Sequence, residues 1–146
     1  MQLETITLFN RKPGDRTQGS TWYPTVIKGC KLMIDRAALL AKYGPEASDK
    51  ASLHIPYKKA DTGLMVAGKA WVPPKQWEDP ETSLTFASGN NFDFFWLGEW
   101  EGGIVSDSEY GDEGFYNYIN RTKDYVFSIS SVTKYSVIPH FEILGK

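Results

Sequence analysis

The sequence has one cysteine, Cys30, and two histidines, His54 and His140, among 146 residues. A lone thiol closes no disulfide within the chain, which excludes the stapled framework of small secreted domains and fits synthesis in a reducing cytosol. Cysteine and histidine are also too few for a structural zinc site without carboxylates. No apolar run approaches the roughly 20 residues of a membrane helix, and no export signal opens the chain. A soluble protein made in the cytoplasm, with no membrane partner, is therefore expected. A nucleophile-elbow serine, a phosphate-cradling glycine loop and a dinucleotide fingerprint are all missing. Nucleophilic and phosphoryl-transfer chemistry has no visible place, and neither cofactor nor metal is expected.

What is present fits one mainly β domain. Hydrophobic residues make up 41% of the chain and aromatics 14%, with 13 Gly and 8 Pro spread along it. A chain of roughly 150 residues can bury about two thirds of its unfolded surface and needs no staple. Net charge is −2, but its placement is uneven: residues 1–75 carry 12 basic and 6 acidic side chains, residues 76–120 carry 10 acids and no base, and residues 121–146 carry 4 bases and 2 acids. The 45-residue anionic block reads either as solvated loops or as a surface complementary to a cationic patch on another molecule. It argues against nucleic-acid binding through that face, and the bases Arg11, Lys12, Arg16, Lys28 and Lys31 form only a diffuse basic footprint.

Periodicity places the elements. Residues 3–9 read as a strand ending in the turn formers of 10–14, and residues 21–33 as a strand long enough for two pairings, with Pro24 at an edge and Gly29 at a bulge. Asp35 can cap a short helix over 36–43 that stops at Gly44-Pro45. Residues 52–57 alternate, with Leu53, Ile55 and Tyr57 on one face. Residues 64–72 form a further strand after a turn at 58–63, closed by Pro73-Pro74. Residues 83–86 and 92–100 read as a hairpin about the turn 88–91. Its second arm, Phe92-Asp-Phe-Phe-Trp-Leu97, is the most apolar stretch and is expected to be buried on both faces or against another subunit. Phe115, Tyr118 and Ile119 mark one side of a short helix, and a closing hairpin runs from 125 to 144 with its loop at 134–136. About seven short strands and one or two short helices define a β-barrel or sandwich.

Several constellations invite chemistry. Glu99 and Glu101 lie two apart on an extended run beside Trp100, the arrangement of a carboxylate pair for glycoside hydrolysis, although acidic loops show that spacing by chance. The run from Asp107 to Glu113, with Glu109 and Asp112, is rich in oxygen ligands but lacks the order of an EF-hand loop. Trp96, Trp100, Tyr110, Tyr116 and Tyr118 can stack on sugars or on a partner, and more commonly such residues are core or interface material. Cys30, between Lys28 and Lys31, reads as a packed strand residue rather than a reactive thiol. His54 and His140 read as rim residues.

The segments Ile6-Thr-Leu-Phe-Asn-Arg11, Trp22-Tyr-Pro-Thr-Val-Ile27, Leu53-His-Ile-Pro56 and Asp124-Tyr-Val-Phe-Ser-Ile-Ser-Ser-Val-Thr133, with Pro139-His140 and Gly145-Lys146, carry a resemblance. Taken in order through the chain, they resemble a family of small structural proteins from the head and neck module of tailed bacteriophages and prophages. The resemblance implies a β-barrel head-closure or connector subunit that forms a ring of copies around the DNA channel, between portal or adaptor and tail. Packaged DNA would pass without sequence-specific binding, no catalytic residue would be involved, and the protein would sit in the virion neck. Residues 34–50 and 98–120 look like elaborations on that core. The expected subunit and partner contacts are the aromatics Phe92, Phe94, Phe95, Trp96 and Trp100, the acids Glu99, Glu101, Asp107, Glu109, Asp112 and Glu113, and the bases Arg11, Lys12 and Arg16. The alternatives are a tail-terminator or tail-completion protein and, in another class, a carbohydrate- or ligand-binding β-sandwich resting on Trp96, Trp100 and the acidic loop.

Overall fold

The computed structural model describes residues 3–14, 19–35, 50–61 and 63–146. Six strands close a barrel. Around it run β1 (Glu4–Lys12), β8 (Phe94–Leu97), β10 (Val126–Tyr135), β11 (His140–Gly145), β3 (Ala51–Pro56) and β2 (Thr21–Ile34), which pairs again with β1. Every neighbouring pair is antiparallel. Closure leaves none of these six strands with an open edge along its whole length, the hazard that exposed sheets otherwise carry.

The 14-residue β2 makes closure possible because it serves two partners. Its first part, Thr21 to Cys30, pairs with β1, and Lys31 to Ile34 pair with β3. Between Ile27 and Cys30 the register slips by one residue against β1, and Gly29 sits there at φ +76°. A bulge with glycine in the left-handed region bends the strand and increases its twist, which turns β2 from one partner to the other. Pro24 is tolerated because only one flank of β2 is paired there: the pairing with β3 begins at Lys31, and β9 (Val105–Ser106) reaches no further than Trp22.

Alternation along each strand divides the apolar residues into two cores. Ile6, Leu8, Ile27, Leu53, Ile55, Phe95, Phe127, Ile129, Phe141 and Ile143 fill the barrel. Phe9, Trp22, Phe94 and Val126 face outward and are covered by residues 98–122. That covering flap comprises β9, a kinked 3-10 segment over Asp107–Glu113, and helix α1 (Phe115–Thr122). The helix buries Phe115 and Ile119 against the outer core. Tyr118, expected on the same side, is instead 37% exposed and leans on Tyr110 at 4.6 Å.

A small second sheet accounts for strands beyond the seven expected. It consists of β4 (Lys58–Ala60), β5 (Gly63–Val66), β6 (Lys69–Trp71) and β7 (Ser83–Leu84). The single strand expected over 64–72 is broken at Ala67 and Gly68, both at positive φ, which is the two-residue hairpin turn that matches strand twist. Alanine rarely takes that conformation, so the sequence reads through the turn. The stretch 58–63, expected as a turn, begins with β4. The hairpin expected from 83–86 and 92–100 does not form: β7 pairs in parallel with β6, whereas β8 pairs with β1 and β10. The turn at 88–91 therefore joins the small sheet to the barrel. In the terminal hairpin β10 runs on to Tyr135, and the turn moves to residues 136–139. The helix expected over 36–43 lies outside the described residues.

Val66, Trp71 and Leu84 of the small sheet, with Phe86 just after it, join the barrel core. Their meeting point is Phe141, whose ring lies 5.1 Å from Tyr57, 5.0 Å from Trp71 and 5.1 Å from Phe86. Phe141→Ala is expected to cost about 3–5 kcal/mol, the range for a buried aromatic that leaves a cavity, read as a lower urea midpoint.

Candidate functional site

The flap is organised by one carboxylate. Asp107 Oδ1 accepts the Trp22 indole N–H at 2.7 Å and the Phe115 backbone N–H at 3.0 Å, and Oδ2 accepts the Ser20 N–H at 3.1 Å. Phe115 is the first residue of α1 and Gly114 before it has no side-chain cap, so Asp107 supplies the missing acceptor and a favourable charge at the helix N-terminus. At the other end of the flap the buried Thr7 hydroxyl donates to the Gly98 carbonyl at 2.8 Å and accepts the Trp100 N–H at 3.0 Å.

Two tryptophans lie across glycines two residues further on. A Cβ at Gly98 would come within 2.6 Å of the Trp96 ring, and one at Gly102 within 2.6 Å of the Trp100 ring. Trp96 also carries the Lys123 ammonium 5.8 Å from its centroid, and Trp100 meets Phe9 and Phe115 edge-on at 5.7 and 5.3 Å. Neither offers a free, coplanar platform for a sugar. Glu113 is held by Arg121 through two N–H donors at 2.8 and 3.1 Å, which keep its carboxyl below the usual range. Glu99, Glu101, Glu109 and Asp112 remain exposed, so the outer surface of the flap is anionic.

Beside the flap, where β1 ends, lies a cleft of about 620 Å³ lined by Arg11, Lys12, Lys75, Trp77, Asn90, Asn91 and Asp93. Arg11 Nε donates to Ser20 Oγ at 2.7 Å, and its guanidinium stands 5.4 Å from the Trp22 ring. Lys12 donates to the Glu78 carbonyl and lies 5.3 Å from the Trp77 ring centroid. Asp93 lies at the base, 1% exposed. Its carboxylate accepts the Arg11 N–H at 2.8 Å, Asn10 Nδ2 at 2.9 Å and the Ala87 N–H at 2.9 Å, while Asn10 also donates to the Thr85 carbonyl at 2.7 Å. This buried pair fastens the small sheet to β1 and β8.

The expected site residues thus separate. Phe94 and Phe95 are fully buried on opposite faces of β8, so neither can meet a partner: the stretch is buried on both faces by its own chain. Phe92, Trp96 and Trp100 are half-buried at the rim of the outer core. Asp107 is turned inward as a tie, and Glu113 is paired. Arg11 and Lys12 share the cleft, and Arg16 lies outside the described residues. Cys30 is fully buried, which pushes its thiol up to about 12 and makes it an inert packing residue. Sequence reading missed Asp93, Lys75 and Trp77. The available signal was a single carboxylate inside the run Phe92-Asp-Phe-Phe, which has to be satisfied once that run is buried.

Chemically, the cleft presents cations and amides suited to an anionic group. Asp93 has its oxygens occupied, and no three metal-ligating side chains converge among the described residues. These features define a closed antiparallel barrel with a small accessory sheet and an acidic flap. The chain belongs, over residues 1–146, to a family of unknown function, DUF6751. No curated protein and no solved structure matches it.

Burial pushes the Asp93 carboxyl up to about 7 against the pull of its three N–H donors and of Arg11. A carboxyl raised in this way adds stability that is complete below its unfolded value near 3.8 and is lost as pH rises towards 7. Asp93→Ala strands buried donors and is expected to cost about 3 kcal/mol at pH 5. The stability difference from the native chain should shrink between pH 4 and pH 8 in urea unfolding; growth over that interval would mean that the hydrogen bonds outweigh burial. Asp107→Ala is expected to cost about 2–4 kcal/mol by orphaning three N–H groups, and to admit protease at the flap before the barrel unfolds.

Proposed function

We propose that this chain is a structural subunit of a tailed-phage virion, a head-closure or connector protein that assembles as a ring between portal or adaptor and tail. The observation that carries the reading is the flap: a predominantly anionic wall, its cation Arg121 paired with Glu113, fixed by Asp107 onto one side of a closed barrel whose interior is filled by side chains. A surface of that kind serves docking and orientation, or repels a DNA backbone that must slide past without being held. The resemblance through β1, β2, β3 and the terminal hairpin supports the same reading, and the flap coincides with the elaboration at 98–120. In this role no residue acts as a catalyst, no cofactor is needed, and the protein works in the neck of the virion after synthesis in the host cytoplasm.

A tail-terminator position would use the same barrel against the tail tube. The carbohydrate-binding alternative loses its support, because Trp96 and Trp100 lie over glycines and the outer core rather than facing solvent as a platform. The test is solution mass by light scattering, for the protein alone and then mixed with the portal and adaptor proteins of the phage or prophage that encodes it. A defined larger complex is expected; unchanged mass with every head and tail partner would overturn the proposal.

A further inference from the structure

The strand order of the barrel sets β11 and β3 across from β1 and β8. The flap covers Phe9 of β1 and Phe94 of β8. Among the described residues, the outward side chains of β11 and β3, with His54, His140 and Glu142 among them, are only half-buried. From this barer wall projects the tip of the β10–β11 hairpin, with Val137 98% and Ile138 75% exposed. The tip is not slack. Tyr57 donates through its hydroxyl to the Tyr135 carbonyl at 2.7 Å and through its N–H to the Pro139 carbonyl at 3.4 Å, and the Tyr135 ring stacks on His140 at 4.8 Å. Two β-branched apolar side chains held in water on an anchored turn are an interaction device, since turns ordinarily carry polar residues. Lys134 precedes the turn, and Lys58 and Lys59 follow the Tyr57 that anchors it; all three are exposed.

The complementary chemistry lies on a different surface of the same molecule. A groove of about 270 Å³ runs between the start of β2 and α1, with the rings of Trp22, Phe92 and Tyr116 and the carboxylates of Asp107 and Glu113 among its lining. The exposed Glu109 and Asp112 belong to the same flap. The cationic cleft at Arg11 shares that residue with the groove, so it adjoins the flap and cannot be the flap's counterpart across the barrel.

We infer that the occupant of the flap groove is a second copy of this chain. Val137 and Ile138 of one copy pack on Phe92 and Tyr116 at the mouth of the groove of the next, while Lys134 and one of the β4 lysines face Glu109 and Asp112. This rests on the ring reading above and names its contact. Donor and acceptor are different surfaces, so the contact is heterologous and repeats from copy to copy. Such contacts close into a ring when the rotation per step divides a full turn.

The test pairs two cysteine variants, Ile138→Cys and Asp112→Cys. Mixed under mild oxidation they are expected to give a covalent dimer that neither gives alone, and the double variant a ladder of covalent oligomers. Cys30 is buried and does not compete. In parallel, the reversals Lys58→Glu/Lys59→Glu and Glu109→Lys/Asp112→Lys are each expected to weaken self-association at least tenfold by sedimentation, and their mixture to restore it. All these side chains are exposed, so unchanged melting temperatures confirm intact folds. Assembly that persists with no cross-link and no effect of reversal overturns this contact while the ring reading stands. A protein that stays monomeric at every concentration, and with portal and adaptor added, overturns both.

Discussion

The two-sided burial of β8 is the constraint on which the rest of the architecture depends. Successive side chains of a strand point to opposite faces, so Phe94 and Phe95 cannot share a core. Phe95 completes the barrel interior, and Phe94 then requires a second apolar layer outside it. That layer is also the environment of Phe9 and Trp22, whose strands flank the same region, and the chain supplies it by returning as residues 98–122. The flap therefore completes the core and is not an appendage to it. Phe115 of the flap meets Phe9 edge-on at 5.2 Å and Phe94 at 5.9 Å, which shows how closely it fits.

Much of the barrel was legible from local pattern because local pattern decided it. Leu53, Ile55 and Tyr57 alternate in a strand with one buried face, and the length of β2 announced two pairings. Gly29 marked the place where they change. Reading failed where a decision was made between distant residues. Ala67 adopts a turn conformation that its own side chain disfavours, because β5 and β6 have to fold back there. Residues 83–86 have a hairpin's sequence, but Ser83 and Leu84 pair with β6, since β8 is claimed by partners on both edges.

The candidate site was legible in composition and not in arrangement. The acidic block announced an anionic surface, and the exposed Glu99, Glu101, Glu109 and Asp112 form most of it. Nothing local distinguished Asp107 from those four, although it faces inward and holds the flap through three N–H groups. The same holds for Asp93, whose partners Asn10, Arg11 and Ala87 come from the far end of β1 and from the small sheet. A carboxylate's role depends on which donors the fold brings to it, and those donors lie up to 87 residues away in sequence, as between Ser20 and Asp107.

The pairing order also governs how the chain reaches its native state. β1 lies beside β2, its neighbour in sequence, and beside β8, which is synthesised some 80 residues later. Among the described strands, β11 joins β10 to β3. Until it emerges from the ribosome the sheet is an open ribbon, with two unsatisfied edges and an apolar inner face. Contacts of such long sequence separation make barrel closure slow, and they leave the growing chain dependent on whatever shields those edges in the meantime.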